Sequence, residues 1–112
     1  MFKFEKNPTF TWPVKVQVPI DGGKFEEHVF TARWQLQEAA ALRKFQAEHP
    51  EGGAAALLEK ALKSWSDVQE TDGTPIEFTP ENVKRLADAP HVRSALITSY
   101  WDAADGGLRT KN

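Results

Sequence analysis

Residues 9–20 (TFTWPVKVQVPI) alternate between apolar and polar positions with a period of two, which predicts a β-strand with one buried and one solvent-exposed face. Two prolines, Pro13 and Pro19, lie on the polar face, six positions apart. Because residues an even number apart point their N–H groups to the same edge of an antiparallel strand, both missing donors lie on one edge. We therefore predict an edge strand whose free edge resists further strand addition. The predicted buried face consists of Phe10, Trp12, Val14, Val16, Val18 and Ile20.

A Gly-containing turn separates this strand from a second apolar run. Residues 21–23 (DGG) connect it to residues 24–33 (KFEEHVFTAR), which predicts a β-hairpin over residues 9–33. A Gly-rich loop after a strand can also bind phosphate. Here no helix is predicted to follow the loop and no Lys-Ser/Thr pair stands at P-loop spacing, so the pattern favours the hairpin turn.

The period changes to that of a helix beyond the hairpin. We predict a first helix over residues 35–48, ended by residues 49–53 (HPEGG), and a second over residues 54–66. The first has Ala39, Leu42 and Phe45 near one face. The second carries a core-facing stripe of Leu58, Ala61, Leu62 and Trp65.

Two further helices are predicted after an irregular, hairpin-like excursion over residues 66–78, with Asp72-Gly73 as its turn and Ile76 and Phe78 as apolar anchors. Thr79 as N-cap and Pro80 at the first helical position predict a helix that ends near Asp88. Pro90 opens the last helix, residues 91–104, which stops at Asp105-Gly106-Gly107. The predicted fold is thus one α+β domain over residues 1–112: a hairpin, a unit of about four helices over residues 35–104, and a flexible tail over residues 105–112, frayed from 108.

Composition narrows the function classes. A chain of 112 residues with a net charge of −2 has the size of one domain and no global attraction to nucleic acid or an anionic membrane. The chain has no cysteine, which excludes disulfides, thiolate metal sites and Cys nucleophiles and fits a reducing cytoplasm. Residues 1–7 (MFKFEKN) carry charges where a signal peptide needs an apolar core, and no apolar run reaches membrane-spanning length.

The sequence contains no recognisable catalytic or metal-binding spacing. The three histidines, His28, His49 and His91, lie in separate segments and none stands three or four residues from another. The acidic residues 67–72 (DVQETD) lack the alternating order of a calcium loop, and no Gly-x-Ser-x-Gly motif is present. We predict no enzyme activity, no catalytic residue, no metal and no cofactor.

The four tryptophans are more than a small domain usually carries. Trp12 and Trp65 lie on predicted buried faces, while Trp34, at a strand-to-helix junction, fits either a core or a surface position. On the last helix, Val92, Leu96, Tyr100 and Ala103 form one docking stripe. Ile97 and Trp101 widen its apolar arc to roughly half the circumference. The sequence leaves two alternatives for what packs on this flank: another chain, or the hairpin of the same chain.

Seven fragments of the chain resemble one family in their order and spacing. They are FTWPVKV (10–16), DGGK (21–24), HVFTA (28–32), SWSDV (64–68), DG (72–73), EFTPENVKRL (77–86) and PHVRSALITSYWDA (90–103). In this order, over nearly the whole chain, they resemble a tail assembly chaperone of long-tailed, lambda-type bacteriophages or prophages.

The resemblance implies a non-enzymatic protein of the bacterial host cytoplasm that is absent from the mature virion. Such chaperones bind the tape-measure protein and keep it soluble while the tail tube assembles around it. In many relatives a programmed frameshift makes a longer product that contacts the tail-tube protein. This chain would be the shorter product, and residues 106–112 are compatible with a slippage site nearby.

A client of this kind exposes helices, so we predict binding by the last helix, with Ile97, Tyr100 and Trp101 as candidate partner-binding residues. Self-association is also expected for a protein that coats a long client. The expected partners include neither nucleic acid nor membrane. Two rival functions are a structural head–tail or tail component retained in the virion, and a small enzyme that uses the acidic loop at residues 67–72.

Overall fold

The computed structural model describes residues 1–49 and 52–106, and its sheet and helices confirm the predicted α+β class. Of the tail predicted to be flexible, residues 107–112 lie outside this range. The elements are β1 (Thr9–Ile20), β2 (Lys24–Gln35), α1 (Ala39–Glu48), α2 (Gly53–Ala61), β3 (Leu62–Ser66), α3 (Pro80–Ala87) and α4 (Pro90–Ala104).

The predicted hairpin is present. β1 and β2 pair antiparallel from Ile20 opposite Lys24 to Thr9 opposite Gln35. In the turn, Gly22 and Gly23 have φ angles of 87° and 73°, a region that glycine enters without the clash of a Cβ atom. β2 runs to Gln35, two residues beyond the predicted end of the second strand.

One face of the hairpin is buried and the other is wet, as the alternation predicts. Val14, Val16, Phe30, Ala32 and Trp34 face the core. The prediction that Trp12 and Ile20 are also buried is wrong, because they are 39% and 46% exposed. Ile20 adjoins the turn, where neighbouring residues of both strands are exposed, so the helices cover this face only over part of its length.

The second helix ends earlier than predicted, at Ala61, and residues 62–66 form β3 instead. β3 pairs antiparallel with β2, and a register shift opposite Arg33 and Trp34 inserts one extra residue, Lys63. Residues three apart normally lie on opposite faces of a strand, but a bulge restores them to one face. Leu62 opposite Trp34 and Trp65 opposite Ala32 therefore both face the core. The stripe was identified correctly, whereas its helical conformation was not.

The first helix also begins later than predicted, at Ala39 rather than residue 35. The backbone between residues 35 and 39 forms hydrogen bonds outside the helix. The Leu36 N–H donates to the Pro8 carbonyl at 2.9 Å. The Gln37 N–H donates to the Tyr100 hydroxyl at 3.0 Å. Both bonds hold the chain extended at the end of β2. Pro50, within the predicted helix-ending segment, lies outside the described residues.

The remaining predicted boundaries are confirmed. The Thr79 side chain accepts a hydrogen bond from the Asn82 N–H at 3.1 Å, and Pro80 opens α3. α4 begins at Pro90 and ends before Asp105, with Gly106 at a φ of 64°. The excursion before α3 is hairpin-like, with a bridge between Gln69 and Pro75.

The sheet has the order β1-β2-β3, so β1 is an edge strand as predicted. α4 packs on β1, and the buried Ser99 hydroxyl donates to the Pro13 carbonyl at 3.0 Å. At Pro13 the free edge therefore offers no donor, and its acceptor is occupied. A second proline, Pro19, removes the donor nearer the turn.

The two prolines on the free edge of β1 lead to a testable prediction about solubility. Replacing Pro13 and Pro19 together by threonine restores two edge donors, and we expect the folded protein to aggregate faster on concentration, because an open strand edge accepts further strands. Light scattering at matched concentrations would measure this. Gln17→Thr is the control, since it alters a side chain on the same edge without adding a donor. Equal aggregation of all three proteins would contradict a protective role for the prolines.

Candidate interaction surface

The structure separates the three residues predicted to bind a partner. Tyr100 is fully buried, whereas Ile97 and Trp101 are partly exposed and pack against the margin of the core. The face of α4 toward the core carries Ala95, Leu96, Ser99 and Tyr100. Ile97 and Trp101 thus remain candidates for partner contact, but the Tyr100 side chain cannot reach a partner in this conformation.

Tyr100 instead joins the helical unit to the sheet. Its ring packs edge-on against Trp34 at a centroid distance of 5.3 Å and against Trp101 at 5.1 Å. Its hydroxyl accepts the hydrogen bond from the Gln37 N–H. Burial raises the pKa of this phenol, the hydrogen bond from Gln37 opposes the rise, and the negative charge of Asp105 adds to it. The group therefore acts as a neutral structural anchor.

A shallow groove runs between the free edge of β1 and α4. Its volume is about 290 Å³, and its lining residues are Trp12, Pro13, Lys15, Ala95, Thr98, Ser99 and Asp102. Lys15 on β1 and Asp102 on α4 bring opposite charges to it. Sequence reasoning missed Trp12 as a surface residue, because alternation specifies the face of a strand and does not specify how far the covering helix extends.

The histidines do not converge. The His28 Nε2 atom lies 2.6 Å from a carboxylate oxygen of Glu26 on the exposed part of β2. His49 stacks on the ring of Phe45 at 4.5 Å, and His91 is exposed at the start of α4. Among the residues that the structure describes, no three His, Asp or Glu side chains form a group that could hold a metal ion.

The acidic loop considered for an enzyme site has local structural contacts. Glu70 forms an ion pair with Arg85 at 2.8 Å. The Asp72 carboxylate accepts a hydrogen bond from the Thr74 N–H at 2.9 Å, and hydrogen bonds from Thr74 lower the pKa of Asp72. The exposed carboxylates therefore stabilise a turn and dock it on α3, roles that need no substrate.

Comparison of the chain with protein-family models, with curated proteins and with solved structures found no match. None of the helices within residues 1–49 and 52–106 has the length and apolar character needed to cross a membrane.

The buried phenol predicts how stability changes in alkali. Because the folded-state pKa is raised, the unfolded chain ionises Tyr100 first, so the free energy of unfolding falls as the pH rises above about 10. Tyr100 is the only tyrosine, so tyrosinate absorbance reports this group alone. We expect the folded protein to show tyrosinate at a higher pH than the urea-unfolded protein.

Tyr100→Phe is the matched control. It should cost about 1 kcal/mol at neutral pH through the lost hydrogen bond to Gln37. It should also show a shallower loss of stability between pH 9 and 11 than the parent, because lysines titrate in both proteins and the phenol only in one. Identical slopes in urea unfolding, or an unshifted phenol titration, would contradict the burial argument.

Proposed function

We propose that this protein is a non-enzymatic tail assembly chaperone of a long-tailed bacteriophage or prophage. It binds the tape-measure protein reversibly and keeps it soluble while the tail tube assembles. The resemblance of seven ordered sequence fragments motivates the proposal. The structural observation that supports a binding role is the apolar arc of α4, which is wider than the face packed on the sheet.

The argument from α4 rests on its two kinds of apolar residue. Leu96 and Tyr100 are fully buried toward the sheet. Ile97 and Trp101 keep part of their surface in water, although both border the core. Large aromatic and aliphatic side chains that are partly desolvated and held by neighbours lose little entropy on binding, which suits them to anchor an apolar client. The core of the chain itself therefore covers part of this flank of α4, and the client covers the part that remains exposed.

The proposed client is a long, largely helical protein that exposes apolar stripes before it is enclosed. A helix of the client would lay its apolar face on α4 in the helix-in-groove mode, with Trp101 as the main anchor. Such binding must be reversible, because the tail-tube subunits replace the chaperone. No cofactor is needed for this role.

The remaining partners and the location follow from the same proposal. The tail-tube protein would be contacted by a longer, frameshifted product rather than by this chain. Assembly takes place in the cytoplasm of the bacterial host, and the chaperone is absent from the finished virion. Mass spectrometry of purified virions separates this role from that of a structural head–tail component, which would remain in the particle.

The binding surface predicts the effect of two substitutions. Ile97→Ala and Trp101→Ala should each weaken capture of the co-expressed tape-measure protein by more than about tenfold, because each removes a central apolar anchor. An affinity pull-down with quantitative mass spectrometry would measure the captured client. His91→Ala, at an exposed site at the start of the same helix and roughly 15 Å along its axis from Trp101, should leave capture unchanged.

Both anchor positions also border the core, so folding must be checked. Trp101→Phe keeps most of the packing and should weaken client capture less than Trp101→Ala, while circular dichroism confirms a folded chain. If the folded alanine variants capture the client as well as the parent does, α4 is not the binding surface. Capture of mature portal or connector proteins in place of the tape-measure protein would favour the structural role.

A further inference from the structure

The sheet has a second edge, on the side of β2 away from β1, and its backbone groups are not blocked. β3 pairs with β2 only from Thr31 to Trp34, so residues 24–30 of β2 are bonded on one side alone within the described chain. The even-numbered residues of β1 and β2 face each other in hydrogen-bonded pairs, since the Pro13 carbonyl points to the opposite edge. Phe25, Glu27 and Val29 therefore direct their N–H and C=O groups outward. No proline occupies these positions.

Two apolar side chains border this open edge on the wet face of the sheet. Phe25 and Val29 are 65% and 53% exposed. They lie on either side of Glu27 on one face of β2. An added strand would therefore place its side chains on that face, which are every second residue, next to Phe25 or Val29. A short backbone edge with adjoining apolar side chains has the features of a strand-addition site.

A segment with matching features lies before β1. Residues 1–6 (MFKFEK) alternate apolar and charged side chains, and Phe2 and Phe4 are 84% and 78% exposed. Their ring centroids are 6.4 Å apart, as expected for side chains two positions apart on one side of the backbone. We call residues 1–6 the aromatic arm.

The aromatic arm cannot reach the open edge of its own chain. The Leu36 N–H donates to the Pro8 carbonyl, which fixes the arm at the end of the sheet away from the turn. From Gln35 back to Phe25 is ten residues of strand, or roughly 33 Å. From Pro8 back to Phe4 the chain spans at most roughly 14 Å. An arm that occupies this edge must therefore come from another molecule.

One antiparallel register fits both the charges and the rings. It places Phe4 opposite Phe25, Lys3 opposite Glu26, and Glu5 opposite Lys24. Phe2 then lies opposite Glu27, diagonally next to Phe25 and Val29. Both cross-strand charge pairs are opposite in sign, and both rings lie on the face of the apolar neighbours.

The neighbouring registers are each unfavourable. A slip of two residues in one direction sets Lys3 against Lys24, and in the other direction it sets Glu5 against Glu26. A further slip of two would require Phe2 to pair with Thr31, which already pairs with Ser66 of β3. A slip of one residue turns both rings to the opposite face, toward Glu26 and its neighbours.

We propose that the aromatic arm of one molecule adds as a fourth strand to the residue 24–30 edge of a second copy of this chain. Two copies related by a two-fold axis exchange arms, so both open edges and all four arm phenylalanines are covered in a closed dimer. The inference depends on the hairpin and the arm and is independent of client binding by α4.

Disulfide cross-linking tests the register directly, because the chain has no cysteine of its own. In the proposed register Lys3 and Glu26 form a non-hydrogen-bonded pair with Cα atoms about 4.5 Å apart, within disulfide range. A mixture of Lys3→Cys and size-tagged Glu26→Cys proteins should form the mixed disulfide about tenfold faster than a mixture of Lys3→Cys and Glu27→Cys, whose side chains lie on opposite faces.

Sedimentation equilibrium of cysteine-free proteins tests the association itself. The parent chain should dimerise, and Phe2→Asp/Phe4→Asp should weaken the dimer by more than about tenfold. Its circular dichroism should stay unchanged, and its thermal unfolding should match that of the parent at concentrations at which both are monomeric, because the arm is exposed. Lys3→Glu and Glu26→Lys should each weaken the dimer several-fold, and their combination should restore it.

Three results would overturn arm exchange. The first is a parent chain that stays monomeric over the whole concentration range. The second is a dimer that survives the double aspartate substitution. The third is a Glu26→Cys protein that links to itself as fast as to Lys3→Cys, which would instead show direct pairing of β2 with β2 of the second copy.

Discussion

The contact between Tyr100 and the end of β2 determines how the helical unit sits on the sheet. Its ring packs against Trp34 and its hydroxyl accepts the Gln37 N–H, so one side chain of α4 binds both the sheet and the segment that leads into α1. The arrangement has a cost, since the Trp34 indole N–H has no hydrogen-bond partner in the described part of the chain. An unsatisfied buried donor costs about 1–3 kcal/mol, which the burial of two large aromatic rings can offset.

Because Tyr100 anchors α4 on the sheet, one face of this helix is buried and another stays partly exposed. The positions facing the sheet are committed to the core, and they include the hydroxyl of Ser99, which occupies the carbonyl of Pro13 at the strand edge. The flank with Ile97 and Trp101 keeps part of its surface exposed, and it is the surface that we propose for the client. A surface next to such a well-packed contact needs little reorganisation to bind, which lowers the entropic cost of association there.

Local rules predicted the parts of the fold that local chemistry determines. Asp-Gly-Gly specified the turn, Thr79 and Pro80 specified the start of α3, and the paired prolines specified the edge strand. The stripe from Leu58 to Trp65 was ambiguous, because a bulged strand can place residues 62 and 65 on one face as a helix does. That choice depends on the unpaired edge of β2, which is distant in sequence.

The candidate site was less predictable for a related reason. Periodicity identifies an apolar arc, but the centre of that arc is set by the elements that pack on it. The pattern thus places Tyr100 both on the docking stripe and among the partner-binding candidates, although its side chain is fully buried. It also places Trp12 in the core, although the covering helix leaves it partly exposed. In both cases the missing information is the position of α4 along the hairpin.

The unequal edges of the sheet have a consequence for how many molecules can join through backbone pairing. In polymer terms, a monomer with two reactive ends grows into a chain, whereas a monomer with one reactive end couples once and stops. The prolines and the occupied Pro13 carbonyl inactivate the β1 end of the sheet, so only the side formed by β2 and β3 can couple. Direct edge-to-edge pairing therefore stops at two sheets, whereas pairing through the aromatic arm, which is a second reactive group, stops only when two copies exchange arms about a two-fold axis.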